Sequence, residues 1–342
     1  MKLYEISKAE SKRLNIMKLI FMGLVVLIHS NMCSETVYSL SVYTVVIQDV
    51  IWNGICTVAI PGFFLLSGLL LFSKDFTWLE NIKKKVRTLL IPYFLINTFW
   101  ILFFKGIRLF DMTKNYFQDS AYQINTIQDV LHAYFDPMPL YYPFWFVRDL
   151  FILNLIAKLI KILIDKFPIL SFIVILIFYF EVVKIPLLYT NSSLCMFSIG
   201  YYMVKYQCKL EKIDKIKLIY WGILFGMLCA VKLWIYSNGI ISFGKVIVGL
   251  CFFYRLTGIL EKSVISKYVL WCSQFTFAIY AFHEFYAAML KRIIMGWFPP
   301  GDSNVIWESL LITFILVNFC IVAAYLLKRY VPSVYKVICG SR

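Results

Sequence analysis

The chain has 342 residues, of which 61% are hydrophobic and 18% aromatic, and its mean hydropathy is +0.77. This composition excludes an ordinary soluble domain and predicts a polytopic membrane protein, because a soluble fold of this length carries more polar residues. The formal net charge of +15 comes from basic clusters between apolar runs, the pattern of positive-inside topology, so we expect no nucleic-acid partner.

Apolar runs of about 20 residues, the length that crosses a lipid bilayer, predict an all-α polytopic bundle of about ten transmembrane helices. The predicted spans are 15–34, 50–73, 88–110, 144–164, 168–185, 190–206, 218–236, 240–260, 268–290 and 304–327. Most of the 34 lysine and arginine residues are cytosolic if both termini are cytosolic, so we predict that orientation in the plasma or inner membrane. The first run is too directly followed by further spans to be a cleaved signal peptide. We expect one membrane domain over residues 1–342.

The first predicted span contains Lys18 and, eleven residues later, His29. At 100° per residue these steps come to about three turns, so both side chains share one helix face about 16 Å apart along the axis. An ionisable side chain at this depth usually faces the bundle interior or a wet cavity, and histidine exchanges a proton near neutral pH. His29 is therefore either a proton-transferring group or a hydrogen-bonded interfacial residue, with a Lys18 that only extends to the interface.

The second run contains IPGFFLLSG, in which Pro61, Gly62, Ser67 and Gly68 are small or helix-perturbing residues. Such residues let a neighbouring helix backbone approach closely, so helix packing is the favoured interpretation. The segment KKKVR at 83–87 follows as a basic cluster on the predicted cytosolic surface. It is suited to phosphates of a nucleotide-containing donor, although positive-inside topology explains it nearly as well.

The fourth predicted span begins with FWFVRDL, which contains Arg148 and Asp149. Because the two residues are adjacent, we expect them to point to different sides of a helix and to need separate partners. Tyr141, Tyr142 and Trp145 could form a ledge for a sugar ring, but interfacial aromatic belts are the commoner reason for such a cluster.

The ninth predicted span carries His283 and Glu284 at a depth comparable to that of His29. Because the first and ninth spans run in the same direction, the two histidines are expected to converge on one cavity. The remaining histidine, His132, is expected at the surface. The nine cysteines show no metal-type or disulfide-type spacing, so we predict no metal site.

Taken in order, these stretches resemble the acyltransferase-3 family of integral-membrane acyltransferases, many of which O-acetylate surface polysaccharides. The family landmarks matched here are the charged residue and histidine of the first span, IPGFFLLSG, the basic stretch closing with LLIPY, FWFVRDL, FSIGYYMVKY at 197–206 and the late IYAFH. FWFVRDL is similar to the branch that acts on enterobacterial-type surface polysaccharides. The chain departs from the family in having Lys18 in place of an arginine and Asn15 in place of an acidic residue.

The resemblance implies transfer of an acetyl group from cytosolic acetyl-CoA, a co-substrate rather than a bound cofactor, to a hydroxyl of a surface or lipid-linked glycan. It implies three sets of residues: His29 and His283 as catalytic groups; Lys18, Arg13, Lys85 and Arg87 for the donor phosphates; and Arg148, Asp149, Trp145 and Ser67 on the oxyanion or acceptor side. His29 would be the general base in a direct transfer, which we prefer to an acyl-enzyme on His29 or Ser67. His283 or Arg148 would stabilise the oxyanion.

Other functions stay open beside this one. The acyl group could be another, such as succinyl, and the lysine at position 18 leaves room for a catalytically silent member. A transporter or flippase for an envelope glycan is the rival from another class. The shared face of Lys18 and His29 and the lack of paired discontinuous helices argue against a transporter.

Overall fold

The structure is a computed structural model that describes residues 4–33, 40–108, 124–235 and 239–340. The regular elements in these ranges are helices, without a strand, which confirms the all-α class. The α-helices are α1 (Lys8–His29), α2 (Val42–Gln48), α3 (Ala59–Phe72), α4 (Trp78–Lys85), α5 (Ile91–Arg108), α6 (Ile127–Phe135), α7 (Trp145–Leu155), α8 (Ala157–Lys166), α9 (Pro168–Tyr179), α10 (Asn191–Lys205), α11 (Leu218–Trp234), α12 (Gly239–Lys262), α13 (Ser266–Ser273), α14 (Thr276–Trp297), α15 (Val305–Tyr330) and α16 (Pro332–Ile338). The predicted span ends at 34, 109–110 and 236 lie outside the described ranges.

Within those ranges, four helical stretches are long and apolar enough to cross a bilayer. They are Val42–Phe72, Trp78–Ile107, Gly239–Lys262 and Val305–Tyr330. The first is continuous because the π-helical turn Asp49–Ile55 and the 3₁₀ turn Cys56–Val58 join α2 to α3. The count of ten spans stays a prediction.

The predicted span 144–164 is interrupted between α7 and α8, at Ile156. The carbonyl oxygen of Leu155 accepts a hydrogen bond from the indole Nε1–H of Trp78 at 2.9 Å. A hydrogen bond from a distant side chain leaves no periodic trace in the sequence, which is why hydropathy alone predicts one helix here.

The predicted span 268–290 is likewise two helices, α13 and α14. The hydroxyl of Ser273 donates to the carbonyl of Leu270 at 2.8 Å, and that of Thr276 donates to the carbonyl of Ser273 at 2.7 Å. Such side-chain bonds compete with the helical ladder at the junction.

The predicted span 168–185 is α-helical only as far as Tyr179. Glu181 follows with a φ of 58°, a left-handed conformation that does not continue a right-handed helix. Twelve residues of helix extend about 18 Å, which is less than the hydrocarbon thickness of a bilayer.

The chain divides into two compact units, Met1–Asp75 with Cys195–Tyr325 and Phe76–Leu194 with Leu326–Arg342. In the first unit α1 packs against α3, α12, α13 and α14. Its buried residues lie on all sides of the helix, as expected for an interior helix. In the second unit α7 packs against α4 and α8, and α5 against α6 and α16. The prediction of a single domain stays a prediction.

Helix α1 begins seven residues before the predicted span. Ser7 and Glu10 form a capping box, in which the Ser7 hydroxyl accepts from the Glu10 N–H at 3.1 Å and the Glu10 carboxylate accepts from the Ser7 N–H at 2.9 Å. These bonds satisfy two of the free N–H groups at a helix start, so the polar segment before Asn15 is helical too.

Helices α3 and α10 meet backbone to backbone. A Cβ built on Gly200 would lie 2.7 Å from the Leu65 carbonyl oxygen and 2.8 Å from the Gly68 carbonyl carbon. A Cβ on Gly68 would lie 3.0 Å from the carbonyl carbon of Phe197. The small residues of the second span therefore serve helix packing, which confirms that interpretation.

Candidate active site

Helices α1 and α14 bring His29, His283 and Glu284 together, and we refer to these three residues as the histidine cluster. The Glu284 carboxylate contacts Nδ1 of His29. The two imidazole rings lie edge to face with their centroids 4.9 Å apart. The two histidines thus converge, as the sequence leads us to expect.

The contact with Glu284 fixes the proton on the His29 ring. A carboxylate accepts hydrogen bonds, so His29 donates its Nδ1–H to Glu284, and in the neutral ring Nε2 is then the acceptor nitrogen. The side chain of His29 is 16% exposed, which leaves it within reach of a ligand. Glu284 is a candidate functional residue that the sequence predictions missed, although an acidic residue in the apolar run around IYAFHEFY is a signal of function.

His283 is held by the backbone of its own helix. Its Nδ1–H donates to the carbonyl oxygens of Tyr280 at 2.8 Å and Ile279 at 3.2 Å. The side chain is fully buried, and its Nε2 has no hydrogen-bond partner among the residues that the structure describes. In the neutral ring this Nε2 is a hydrogen-bond acceptor, so His283 can donate to an oxyanion only when it is protonated.

The histidine cluster also has the ligand types of a zinc ion, two imidazoles and one carboxylate. One ligand atom of each residue lies within 4.8 Å of the others. In the described part of the chain this is the one group of at least three such side chains that could share a metal ion. The absence of a metal from the site stays a prediction.

Lys18 lies eleven residues before His29 on α1. Its Nζ donates to the Asn15 side-chain oxygen at 3.2 Å. Met22 and Val25 occupy the same helix face between Lys18 and His29, and both are buried. A ligand that extended along this face from Lys18 to His29 would displace their present contacts.

Arg13 is buried in an ion pair of the first unit. Its guanidinium donates to both carboxylate oxygens of Asp214, at 2.5 and 2.9 Å, and to the carbonyl of Tyr254 at 2.8 Å. It also lies over the Tyr254 ring, 3.9 Å from the centroid. A donor phosphate would have to displace Asp214 to bind Arg13, and that role stays a prediction.

The remaining residues predicted to bind the phosphates of the acyl donor or to act as a nucleophile lie partly in the first unit and partly in the second. Ser67 lies on α3 in the first unit and is half-buried, next to the packing residue Gly68. In the second unit Lys85 is the last residue of α4 and is half-buried, and Arg87 is exposed in the π-helical turn Val86–Leu90.

Arg148 and Asp149 do pair, so the prediction that adjacent residues would point apart is wrong. Arg148 donates to Asp149 at 3.4 Å and to the carbonyl of Leu187 at 2.8 Å. The fully buried Asp149 also accepts the backbone N–H of Tyr189 at 3.0 Å. Both side chains turn towards the segment that contains Leu187 and Tyr189, beside the start of α7. This shared direction brings them together although adjacent residues on a helix are about 100° apart. They anchor that segment to α7.

Of the three aromatic residues suggested as a ledge, Tyr141 and Trp145 are covered by other rings, whereas Tyr142 is 38% exposed. Trp145 is buried, with the Tyr189 ring centroid 4.5 Å away. Tyr141 is buried too and stacks on Trp100 at 5.5 Å with an interplanar angle of 3°. Neither ring is exposed as a ledge in the second unit.

His132 is exposed on α6, which confirms its prediction as a surface residue. Its Nδ1 lies 3.0 Å from the Asp136 carboxylate, and this hydrogen bond raises the pKa of His132. No disulfide joins the nine cysteines, all of which lie in the described ranges.

Comparisons with known proteins identify relatives of the chain. The family model described as an acyltransferase domain matches residues 11–329. The succinoglycan biosynthesis protein ExoH of Rhizobium meliloti (strain 1021) is 22% identical over 213 residues, which cover 60% of this chain. The match spans 57% of the length of that relative, less than two thirds. No solved structure matches the chain.

Proposed function

Because the chain belongs to the acyltransferase-3 family, we propose that it transfers an acetyl group from acetyl-CoA to a hydroxyl of a surface or lipid-linked polysaccharide. The match over residues 11–329 supports acyl transfer. The name of the relative refers to the biosynthesis of a polysaccharide, which supports a glycan acceptor. The apolar helices and the basic clusters between them support a location in the cell membrane with cytosolic termini.

The contact between Glu284 and His29 carries the proposed mechanism. Glu284 accepts the Nδ1–H, so Nε2 of His29 removes the proton from the acceptor hydroxyl as this oxygen attacks the thioester carbonyl. The C–S bond then breaks, and the CoA thiolate takes that proton back from His29. The carboxylate stabilises the imidazolium between these two steps, as in other carboxylate–histidine pairs.

His283 has a positioning role in this proposal. Its buried Nε2 accepts a hydrogen bond from a substrate N–H or O–H group at the histidine cluster. The oxyanion role of Arg148 stays a prediction, and in the structure its guanidinium donates to Asp149 and to the carbonyls of Pro137 and Leu187.

Lys18 is the proposed anchor for the CoA phosphates, at the opposite end of the α1 face from His29. Lysine contributes charge without the planar fork of the arginine that is usual in the family. The pantetheine arm would pass Met22 and Val25, which must repack to admit it.

The substitution His29→Ala tests the mechanism. Full-length protein in nanodiscs is given radiolabelled acetyl-CoA and surface glycan from cells that lack the gene. We expect acyl transfer to fall at least about 100-fold, the effect of a lost general base, in a protein that still folds and unfolds cooperatively. His132→Ala is the matched control, since this exposed histidine lies outside the cluster. Full activity of His29→Ala would exclude His29 as the base.

Two further experiments identify the acyl group that is transferred and distinguish an acyltransferase from a transporter. Mass analysis of the surface glycan after gene deletion should show the loss of acetyl units. The loss of a succinyl mass instead would identify a different donor. Release of CoA that depends on the glycan separates an acyltransferase from a transporter.

A further inference from the structure

The first turn of α15 carries a carboxylate that lacks a partner in the described part of the chain. Glu308 is only 6% exposed, and neither Oε1 nor Oε2 accepts a hydrogen bond. Burial of an unpaired carboxylate is costly, and buried polar groups in native proteins are almost always paired. The unpaired carboxylate of Glu308 therefore points to a ligand that donates hydrogen bonds to it.

Glu308 lies at the end of the first unit where α1 stops. The next residue of α15, Ser309, accepts the backbone N–H of Met32 at 2.9 Å. Met32 packs in one apolar cluster with Ile294 of α14 and with α15. It follows His29 by three residues, so the two Cα atoms are at most about 11 Å apart. Ser309 therefore lies at the end of α1 that carries His29, and Glu308, the residue before it on α15, lies at the same end of the first unit.

We propose that Glu308 binds the glycan acceptor by accepting hydrogen bonds from two of its hydroxyl groups, an inference that rests on the proposed function. A carboxylate offers two acceptor oxygens, and neighbouring hydroxyls of one sugar ring can donate to both. The acceptor must present one hydroxyl to Nε2 of His29, and the other hydroxyls of that sugar then reach a side chain nearby.

The chemistry at Glu308 distinguishes the two substrates. A negative charge repels the phosphates of CoA, so this end of the unit suits a neutral polyhydroxyl ligand rather than the donor. The N-terminal end of α15 favours a negative charge in its first turn. The donor anchor Lys18 lies eleven residues before His29 on α1, and Met32 lies three residues after it.

Steady-state kinetics of Glu308→Leu and Glu308→Gln test this role in the nanodisc assay. We expect the apparent KM for surface glycan from gene-deleted cells to rise at least about tenfold in the leucine variant and less in the glutamine variant, which keeps one acceptor oxygen. The KM for acetyl-CoA should stay unchanged. The melting temperature of both variants should be equal or higher, because an unpaired buried charge has been removed.

The control is Glu10→Gln, a buried glutamate that the capping box pairs with Ser7. It should lower the melting temperature without changing the KM for glycan. An unchanged glycan KM in Glu308→Leu, with wild-type turnover intact, would overturn the role of Glu308 and leave the proposed function standing. A wild-type protein that releases no CoA in the presence of the glycan would refute the proposed function, and the role of Glu308 with it.

Discussion

The contact between α3 and α10 predicts a large effect of a single methyl group, in Gly200→Ala. The new Cβ would lie 2.7 Å from the carbonyl oxygen of Leu65, whereas a carbon–oxygen contact normally needs about 3.3 Å. The obstacle is helix backbone, which cannot rotate away as a side chain can. The two helices must therefore separate by at least about 0.6 Å along their contact.

Such a separation weakens every contact along the seam. A gap of about 0.5–1 Å forfeits a quarter to a half of the dispersion energy of each atom pair, and overpacked cores typically lose about 1–3 kcal/mol. Alanine regains up to about 1 kcal/mol through its higher helix propensity. The balance predicts that the free energy of unfolding falls by about 1–2 kcal/mol.

Gly226→Ala is the matched control, because a Cβ on this exposed residue of α11 has no atom within 4 Å. It should leave the stability unchanged or raise it by up to about 1 kcal/mol. Gly68→Ala, from the other side of the seam, should destabilise as Gly200→Ala does. The double variant should cost less than the sum, because helices separated for one methyl group already admit part of the second.

Thermal unfolding of the purified protein, followed by circular dichroism and by the loss of the monodisperse peak in gel filtration, measures these differences. The opposite signs for Gly200→Ala and Gly226→Ala are the informative result. If Gly200→Ala were as stable as Gly226→Ala, the backbone contact between α3 and α10 would be refuted.

Further predictions concern the charged side chains. Glu284→Gln should lower kcat at least about tenfold, with KM values unchanged, since an amide can hold His29 but does not stabilise its imidazolium; an unchanged kcat would refute the pairing. Lys18→Arg should keep or raise activity, whereas Lys18→Ala should raise the KM for acetyl-CoA; equal KM values would exclude Lys18 as the donor anchor. Arg13→Lys should lower the melting temperature through the loss of the bidentate bond to Asp214. Adding Asp214→Asn to Arg13→Lys should lower the melting temperature only a little further. Fully additive losses of melting temperature would argue against an ion pair shared by the two residues.

Helical periodicity and the direction of the spans were sufficient to predict that His29 and His283, two of the three residues of the histidine cluster, lie together. The spacing of Lys18 and His29 places them on one face, and the parallel direction of the two spans brings His283 to the same cluster. The pairing of Glu284 with His29 could not be predicted, because adjacent residues on one helix give no measure of which one reaches the neighbouring helix. That choice depends on the rotation of α14 against α1.

Hydropathy predicted where the apolar helices lie more successfully than where they break. The interruption after Leu155 depends on an indole that is 77 residues away in sequence. The junction between α13 and α14 has a local cause in the Ser273 and Thr276 hydroxyls, but both residues also occur within unbroken membrane helices. The capping box at Ser7 carries a local sequence signature, which a search for apolar runs passes over.

Hydrogen-bond partners distinguish the buried polar residues that hold the fold together from those that a substrate can use. Residue type alone does not make this distinction. Arg13, Arg148 and Asp149 are each bound by groups of the same unit, so they fix helices and loops in place. Nε2 of His283 and the carboxylate of Glu308 have acceptor capacity that no other described residue uses. Buried acceptors without a partner are rare in native proteins, and a ligand that supplies the donors is the explanation that we propose for these two. Because sugar hydroxyls are donors of this kind, the two unused acceptors fit the glycan that we propose as acceptor better than they fit the phosphates of CoA.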